Sequence, residues 1–254
     1  VVVSALTFTV YALMNTVMNG DLCQVLLKEG LTFDVDRLAE EAAKPGTKLV
    51  ILCSPNNPTG SMITPEEVAR IATTATGLVV VDEAYFEFCG VSSIGLLEHF
   101  SNVIITRTFS KALGAAGLRL GYLMAHPDLV REIEKVKLPY NVNLISLIAA
   151  KRIIQEQALI EERSAFICSE RQRVLDQLEA ISGIRPYPSY ANFILFEVDR
   201  SVHAIFQGLI EQGVLIRDVS RYPMLDKAMR VTIGTREENE AFLEALREVV
   251  RIVE

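Results

Sequence analysis

The stretch TFSKALGAAGLRLGY, residues 108–122, contains the most informative residue of the chain, Lys111. It follows an apolar run at residues 103–106, which predicts a buried strand because β-branched residues favour strands. A lysine at the end of such a strand, among hydroxyls and small residues, is poorly placed for a solvated surface charge. An ε-amine whose pKa is lowered by its surroundings can form a Schiff base with a carbonyl compound. The alternative is a lysine that extends its charge from a loop into solvent.

Short apolar strands alternate with helical segments through the first half of the chain. The predicted strands span residues 1–4, 23–27, 49–53, 78–82, 103–106 and 120–125. Between them, Thr64 followed by Pro65 and two glutamates predicts the start of a helix. This alternation predicts an α/β fold with a mostly parallel sheet sandwiched by helices. Ligands of such sheets bind at the carboxyl ends of the strands, which is where Asn57, Asp82 and Lys111 fall.

The pattern changes after Pro127. A helix begins there and ends before Pro139, and long helical segments follow over residues 143–181. Short strands are then predicted at residues 193–198, 214–217 and 229–233, with helices over residues 202–212 and 237–252. This order of elements predicts a smaller C-terminal α+β domain over residues 145–254, after a large domain over residues 1–144.

Composition and charge argue against several classes of function. The chain has 254 residues, a net charge of −7 and no cluster of lysine and arginine, which argues against nucleic-acid binding. No apolar run reaches the ~20 residues that a membrane-spanning helix needs. The cysteines Cys23, Cys53, Cys89 and Cys168 lack metal-binding spacing and are typical of reduced thiols. We therefore expect a cytoplasmic protein with neither a metal site nor a membrane span.

Three further segments carry motifs that agree with the one around Lys111. They are SPNNPTG at residues 54–60, VVVDEAY at residues 79–85 and MRVTIGTREEN at residues 229–239. Together the four segments resemble the fold-type I, aspartate aminotransferase-like enzymes, which use pyridoxal phosphate. The resemblance runs from about residue 1 to residue 251 in the family's order. Within that family, residues 229–239 look most like the histidinol-phosphate aminotransferases.

The resemblance implies that Lys111 forms the Schiff base with pyridoxal phosphate and moves protons at the substrate's Cα. Asp82 would hold the proton on the pyridine nitrogen, because a nearby opposite charge favours the charged form of the ring. The alternative for Asp82 is a carboxylate that caps the next helix. Tyr85 and Asn57 would donate hydrogen bonds to the phenolic oxygen, although Pro-Asn-Asn-Pro is also a strong turn signal.

The other implied cofactor contacts lie at the ring face and the phosphate. Phe8 matches the aromatic residue that stacks on the ring, and its alternative is a place in the core. Thr108, Ser110 and Arg119 match the phosphate ligands, because hydroxyls and a planar guanidinium suit a phosphate dianion. The alternative for the two hydroxyls is local capping of the backbone.

Two arginines near the C-terminus are implied to bind the substrate. Arg230 would grip its carboxylate or phosphate end, and Arg217 would help to bind the phosphate. They are 230 − 217 = 13 residues apart, on two short apolar segments that we expect to pair as neighbouring strands. The alternative is structural ion pairs, for example of Arg217 with Asp218 or Asp226.

The implied reaction moves an amino group between L-histidinol phosphate and 2-oxoglutarate, in histidine biosynthesis. Other fold-type I enzymes stay open as alternatives, namely an aromatic aminotransferase or a threonine-phosphate decarboxylase. So do a non-catalytic binding module, of the kind fused to transcription regulators, and an inactive fragment. The family resemblance implies a homodimer with active sites at the subunit interface.

The chain starts at Val1 in an apolar run and without methionine. By the resemblance, roughly a hundred further residues would precede it, which is the size of a small domain. We therefore expect a fragment. The preceding part would hold a dimer-facing arm, a tyrosine that reaches the neighbouring active site, and a Gly-rich turn that binds the cofactor phosphate.

Overall fold

The computed structural model describes residues 1–253, which form two sheets flanked by helices. The strands of the larger sheet are β1 (Val2–Ser4), β2 (Cys23–Val25), β3 (Leu49–Cys53), β4 (Leu78–Asp82), β5 (Val103–Thr108) and β6 (Gly121–Ala125). They lie in the order β2-β1-β3-β4-β5-β6. All neighbouring pairs are parallel except β5 and β6, which are antiparallel. The predicted mostly parallel sheet is confirmed.

Helices connect these strands and cover the sheet. They are α1 (Val10–Val17), α2 (Val35–Ala42), α3 (Pro65–Thr74), α4 (Phe86–Cys89) and α5 (Pro127–Glu134). The side chain of Thr64 accepts a hydrogen bond from the Glu67 N–H, and the Glu67 carboxylate accepts one from the Thr64 N–H, so α3 begins at a capping box where the sequence predicts a start. The central strands β3, β4 and β5 bury valines, leucines and isoleucines in one core with α2 and α3, as expected for parallel strands covered on both faces.

The second half of the chain builds a smaller antiparallel sheet. Its elements are α6 (Leu144–Ile153), α7 (Gln157–Glu179), β7 (Ile184–Pro186), β8 (Phe193–Val198), α8 (Val202–Glu211), β9 (Arg217–Asp218), β10 (Ala228–Thr232) and α9 (Arg236–Ile252). The strand order is β7-β8-β10-β9, with every pair antiparallel. A domain boundary at residue 145 stays a prediction, because Leu195 and Ala228 of this sheet pack in the core of the larger one.

Strand β9 is shorter than the sequence predicts, as is β2, which ends at Val25 rather than at residue 27. The apolar run at residues 214–217 pairs with β10 only from Arg217 onward, through Arg217 opposite Arg230 and Asp218 opposite Met229. Residues 214–216 form no strand pairing with β10, and Leu215 is 78% exposed. Residues 214–216 and β10 line a cavity of about 670 Å³. The prediction of a strand over residues 214–216 is therefore wrong. The local apolar pattern does not show whether a segment pairs with a neighbouring strand.

The motif at residues 229–239 holds the loop between β10 and α9. Asn239 accepts a hydrogen bond from the Gly234 N–H at 2.9 Å and donates to the Gly234 carbonyl and to Glu170. Glu170 is buried on α7 and pairs with Arg173, whose charge and hydrogen bonds lower the pKa of Glu170 to about 2. This network fixes the end of β10, the strand that carries Arg230.

Within residues 1–253, no helix has the length and apolar character needed to cross a membrane. The same residues contain no group of three or more His, Cys, Asp or Glu side chains placed to hold a metal ion.

Candidate active site

Two adjoining cavities lie at the carboxyl ends of the central strands. The larger, of about 470 Å³, is lined by residues that include Phe8, Asp82, Thr108, Ser110, Lys111 and Arg119. The smaller, of about 80 Å³, shares Phe8, Asp82 and Lys111 and adds Tyr11, Cys53, Asn57 and Tyr85. The eight residues that the resemblance assigns to the cofactor therefore all line one or both cavities.

The sheet explains why these residues meet. Asp82 ends β4, and Lys111 follows the end of the neighbouring strand β5 by three residues. Because β4 and β5 are parallel, with Asp82 opposite Thr106, their ends lie at the same edge of the sheet. The polar and charged residues after each strand are thus brought together where α/β sheets bind ligands.

Lys111 has surroundings that favour its neutral amine. Burial lowers the pKa of Lys111 and the positive charge of Arg230 lowers it further, against the opposing effects of Cys53 and Asp82. Its Nζ lies 5.2 Å from the centroid of the Tyr85 ring. Among the described residues it makes no hydrogen bond and no ion pair. A lysine that is partly desolvated and unpaired has an amine available for nucleophilic attack at lower pH than an ordinary lysine.

Asp82 is held by two neutral donors. The Tyr11 hydroxyl donates to Oδ2, and the Ala84 N–H donates to Oδ1 at 3.1 Å. Burial raises the pKa of Asp82, and the hydrogen bond from Tyr11 opposes that rise. A buried carboxylate whose hydrogen-bond donors are all neutral is stabilised by a nearby cation. The cavity beside Asp82 is large enough to hold a cationic group.

Sequence reasoning missed Tyr11 and the position of Cys53. The Tyr11 ring packs edge to face on Phe8, with centroids 5.7 Å apart and planes at 87°. Burial, and then the nearby Cys53 and Asp82, raise the pKa of Tyr11, so its hydroxyl stays protonated and donates. Burial also raises the pKa of the Cys53 thiol to about 12, which makes it unreactive at neutral pH. The spacing of Phe8 and Tyr11, one turn apart at the start of α1, is the sequence signal that was available.

Arg230 connects the smaller sheet to the site. Its Nη1 donates to Asn57 Oδ1 at 2.5 Å, and its guanidinium carbon lies 4.7 Å from the centroid of the Phe193 ring. Its Nε is buried without a hydrogen-bond partner among the described residues. Burial lowers the pKa of Arg230, and the charge of Arg217 lowers it further while Tyr85 opposes this. A buried arginine without a carboxylate partner is suited to bind an anion.

Arg217 lies directly opposite Arg230 in the β9–β10 pair, as the sequence predicts for neighbouring strands. Both arginines line the cavity of about 670 Å³ beside β9, whereas Lys111 does not. In the part of the chain that the structure describes, Arg217 forms no ion pair with Asp218 or Asp226. The alternative of a structural ion pair therefore has no support at Arg217.

Thr108, Ser110 and Arg119 lie together at the β5 side of the larger cavity. Thr108 Oγ1 accepts a hydrogen bond from the Ser110 N–H at 3.1 Å, so this residue both caps the local backbone and lines the cavity. Arg119 donates only to the Ala116 carbonyl, at 3.1 Å, and has no carboxylate partner within residues 1–253. The group therefore offers hydroxyls and an uncompensated cation to a phosphate.

These residues fit pyridoxal phosphate on chemical grounds. The cavity presents a phosphate end at Arg119, a carboxylate at Asp82 for a protonated ring nitrogen, and an unpaired amine at Lys111. Asn57 Oδ1 accepts from Arg230, which leaves the amide Nδ2 to donate to an anionic oxygen. Each of these groups matches one substituent of that cofactor.

Solved structures of similar fold identify the class of enzyme. The histidinol-phosphate aminotransferase of Clostridium acetobutylicum has a TM-score of 0.93 and 25% identity, over 99% of this chain and 78% of that one. The histidinol-phosphate aminotransferase of Sinorhizobium meliloti in complex with pyridoxal-5'-phosphate has a TM-score of 0.90 and 29% identity, over 99% of this chain and 70% of that one. The fold is thus that of a pyridoxal-phosphate-dependent enzyme.

The chain belongs to the family of class I and II aminotransferases, whose model matches residues 1–246. Among curated relatives, the histidinol-phosphate aminotransferase of Thermoanaerobacter pseudethanolicus is 39% identical over 244 residues. The match covers 96% of this chain and 69% of that protein. The family resemblance, the pyridoxal phosphate cofactor and the aminotransferase class expected from the sequence are confirmed.

Proposed function

We propose that this aminotransferase acts on L-histidinol phosphate and 2-oxoglutarate, and that Lys111, Asp82 and Tyr85 are its catalytic residues. The observation that carries the substrate assignment is the pair Arg217 and Arg230, opposite each other on β9 and β10 without carboxylate partners among the described residues. Two cations side by side suit a phosphate monoester dianion better than a single carboxylate. The names of the relatives support the same substrate.

Each residue of the site has a separate role in the proposed reaction. Pyridoxal phosphate, when bound, supplies a ring that accepts the electrons left at the substrate's Cα. Asp82 holds the proton on the ring nitrogen, and Phe8 stacks on the ring. Tyr85 and the free Nδ2 of Asn57 donate to the phenolic oxygen. Lys111 Nζ would take up and return the proton at the substrate's Cα.

The phosphate of the cofactor is bound by Thr108, Ser110 and Arg119 at the end of β5. The substrate's anionic end is bound by Arg230, whose orientation is fixed by its hydrogen bond to Asn57. Arg217, one strand further out and exposed, adds its charge when the substrate carries a phosphate. Histidinol phosphate thus meets both arginines, whereas 2-oxoglutarate requires only Arg230.

We expect Arg217→Ala to reduce kcat/KM for histidinol phosphate by about ten- to a hundredfold, since one charge-assisted partner is worth roughly 1.5–3 kcal/mol. The loss for 2-oxoglutarate should be several times smaller, because that substrate has no phosphate. Steady-state kinetics with each substrate varied in turn measure both losses. Arg185→Ala is the control, since Arg185 is an exposed arginine on β7 of the same sheet. Equal losses on both substrates would count against the phosphate role and would favour a general aminotransferase.

We also propose that the chain forms a homodimer. Apolar side chains are exposed at the end of α1, and again from the segment after α5 into the first turns of α6. They are Leu13, Met14, Val17 and Met18 in the first region, and Val136, Leu138, Tyr140, Leu144, Ile145 and Ile148 in the second. Exposed apolar surface on this scale is unusual for a monomer and typical of an interface.

Light scattering at micromolar concentration is expected to give the mass of two chains. A lysine in place of both Met18 and Ile145, which are 80% and 77% exposed, should shift the protein toward the monomer because it places charge in the interface. Ile252→Lys is the matched control, since Ile252 is 70% exposed at the end of α9. A wild-type monomer, or equal shifts in the test and control variants, would refute the proposed interface.

A further inference from the structure

A second buried acid lies next to Asp82 and takes no part in the cavities. Glu83 is 2% exposed, and its carboxylate forms an ion pair with Arg107 at 2.8 Å. The guanidinium donates to Glu83 Oε2 from both Nε and Nη2 and also to the Ser92 hydroxyl. Glu83 further accepts hydrogen bonds from the Ser92 hydroxyl and the Ser93 N–H. This acid is therefore fully paired within the protein.

The partners of Glu83 are distinct from those of Asp82. Asp82 is bound by Tyr11 and Ala84, whereas Glu83 is bound by Arg107 and the loop after α4. Successive residues of an extended chain point to opposite sides, and the two sets of contacts agree. Neither Glu83 nor its Ser92 partner lines the two cavities around Lys111. Arg107 lines the larger cavity beside Thr108, whereas Glu83 reaches the site only through the backbone.

The pair joins the two strand ends that carry the site. Glu83 directly follows Asp82 on the chain, and Arg107 directly precedes Thr108. The Glu83 N–H donates to the Thr106 carbonyl at 2.9 Å, so the backbone ladder and the ion pair act at the same point. The Arg107 guanidinium is also held 3.6 Å from the centroid of the Phe86 ring. Its freedom to move is therefore small.

We propose that Glu83 and Arg107 are a positioning pair that fixes the distance between the ring-nitrogen end of the site, at Asp82, and the phosphate end, at Thr108 and Ser110. This inference rests on the cofactor placement proposed above. The ring nitrogen and the phosphate belong to one rigid molecule, so both ends bind at full strength only if the protein holds its two anchor points at the matching separation. An ion pair one residue from each anchor sets that separation.

A role in stability alone does not account for this position. A buried ion pair is weak evidence for stabilisation, because apolar residues of similar volume commonly serve as well. The chain contains another buried acid with ion-pair partners, and it is remote from the site. Glu41 is 4% exposed on α2 and pairs with Arg37 at 2.7 Å and with Lys44. Glu41→Gln therefore makes the same change in charge without touching β4 or β5.

The test compares probes that contact one or both ends. The two-ended probe is 4-deoxypyridoxine 5'-phosphate, which lacks the aldehyde and cannot react with Lys111. The one-ended probes are 4-deoxypyridoxine and inorganic phosphate. We expect Glu83→Gln to raise the Kd of the two-ended probe about tenfold or more while each one-ended Kd changes less than about threefold, since only the two-ended ligand senses the separation. Glu41→Gln should lower Tm but leave all three Kd values near wild type.

Each outcome decides between distinct explanations. Equal changes in Kd for Glu83→Gln and Glu41→Gln would overturn the proposal, and so would a loss that is as large for inorganic phosphate as for the two-ended probe. The latter result would mean that Arg107 supports the phosphate end alone. If Glu83→Gln does not fold, Ser92→Ala removes one partner from both Glu83 and Arg107 and should show a smaller effect with the same selectivity; no selectivity there would also overturn it. A wild-type protein that binds the two-ended probe no better than the fragments would contradict the proposed cofactor placement instead.

Discussion

Replacing Lys111 with alanine is expected to abolish transamination while the protein keeps its fold and still binds pyridoxal phosphate without a covalent bond. Lys111 is exposed at the cavity wall and its side chain makes no hydrogen bond or ion pair within residues 1–253, so truncation to alanine breaks no polar contact. Alanine can neither join the cofactor's aldehyde nor carry a proton at the substrate's Cα. Because both functions are lost together, we expect kcat to fall by more than about 10⁴-fold.

The covalent bond gives a second measurement that does not depend on turnover. Borohydride treatment of the protein with bound pyridoxal phosphate should fix the cofactor onto the peptide that contains Lys111, and the Lys111→Ala protein should yield no labelled peptide. Lys137→Ala serves as the control, since Lys137 is an exposed lysine after α5. Labelling of any other lysine in the wild-type protein would show that the assignment is wrong.

Most of this site was predictable from the sequence because its residues follow strands. Asp82 and Lys111 lie just after apolar runs, and the rule that parallel strands bind ligands at their carboxyl ends places both at one edge without knowledge of packing. Arg217 and Arg230 were predicted as strand neighbours for the same reason, since two short apolar segments close in sequence commonly pair. Local pattern and chain order were sufficient to predict where these four residues lie in the fold.

Tyr11 could not be predicted in this way. Its hydroxyl bonds to Asp82, which is 71 residues away in sequence, and the contact depends on how α1 packs over the edge of the sheet. The pairing of Glu83 with Arg107 has the same character, because it depends on the loop that carries Ser92. Such contacts are set by tertiary packing, and periodicity and residue type do not encode them.

The prediction at residues 214–216 failed for a related reason. Val214, Leu215 and Ile216 have the composition of a strand. Strand formation also requires a partner strand, and this segment pairs with β10 only from Arg217 onward. Edge strands are therefore the elements whose ends are least determined by their own sequence.

Asp82→Asn is the second substitution for which we expect a large effect, a fall in kcat/KM of several orders of magnitude, where each ~1.4 kcal/mol of lost transition-state stabilisation is tenfold. The carboxylate favours the protonated ring nitrogen by its negative charge. A neutral amide of the same size lacks that charge, so the ring accepts electrons from Cα less readily. Kinetics with histidinol phosphate and with 2-oxoglutarate should show similar losses, because both half-reactions use the same ring.

The stability of the cofactor-free protein distinguishes this role from that of a helix cap. Burial raises the pKa of Asp82, which means that the folded state disfavours its charge. At neutral pH the ionised form therefore opposes folding when no cation is bound, and asparagine removes that penalty. Its Oδ1 can accept from the Ala84 N–H while its Nδ2 donates to the Tyr11 hydroxyl oxygen. We expect the Tm of cofactor-free Asp82→Asn to equal or exceed that of the wild type. Tyr11→Phe is the companion variant, which keeps the carboxylate, loses one donor and should reduce the rate far less than Asp82→Asn. A near-normal rate for Asp82→Asn would leave Asp82 as a cap for the Ala84 N–H, because the amide lacks the negative charge but keeps one oxygen that accepts from that N–H.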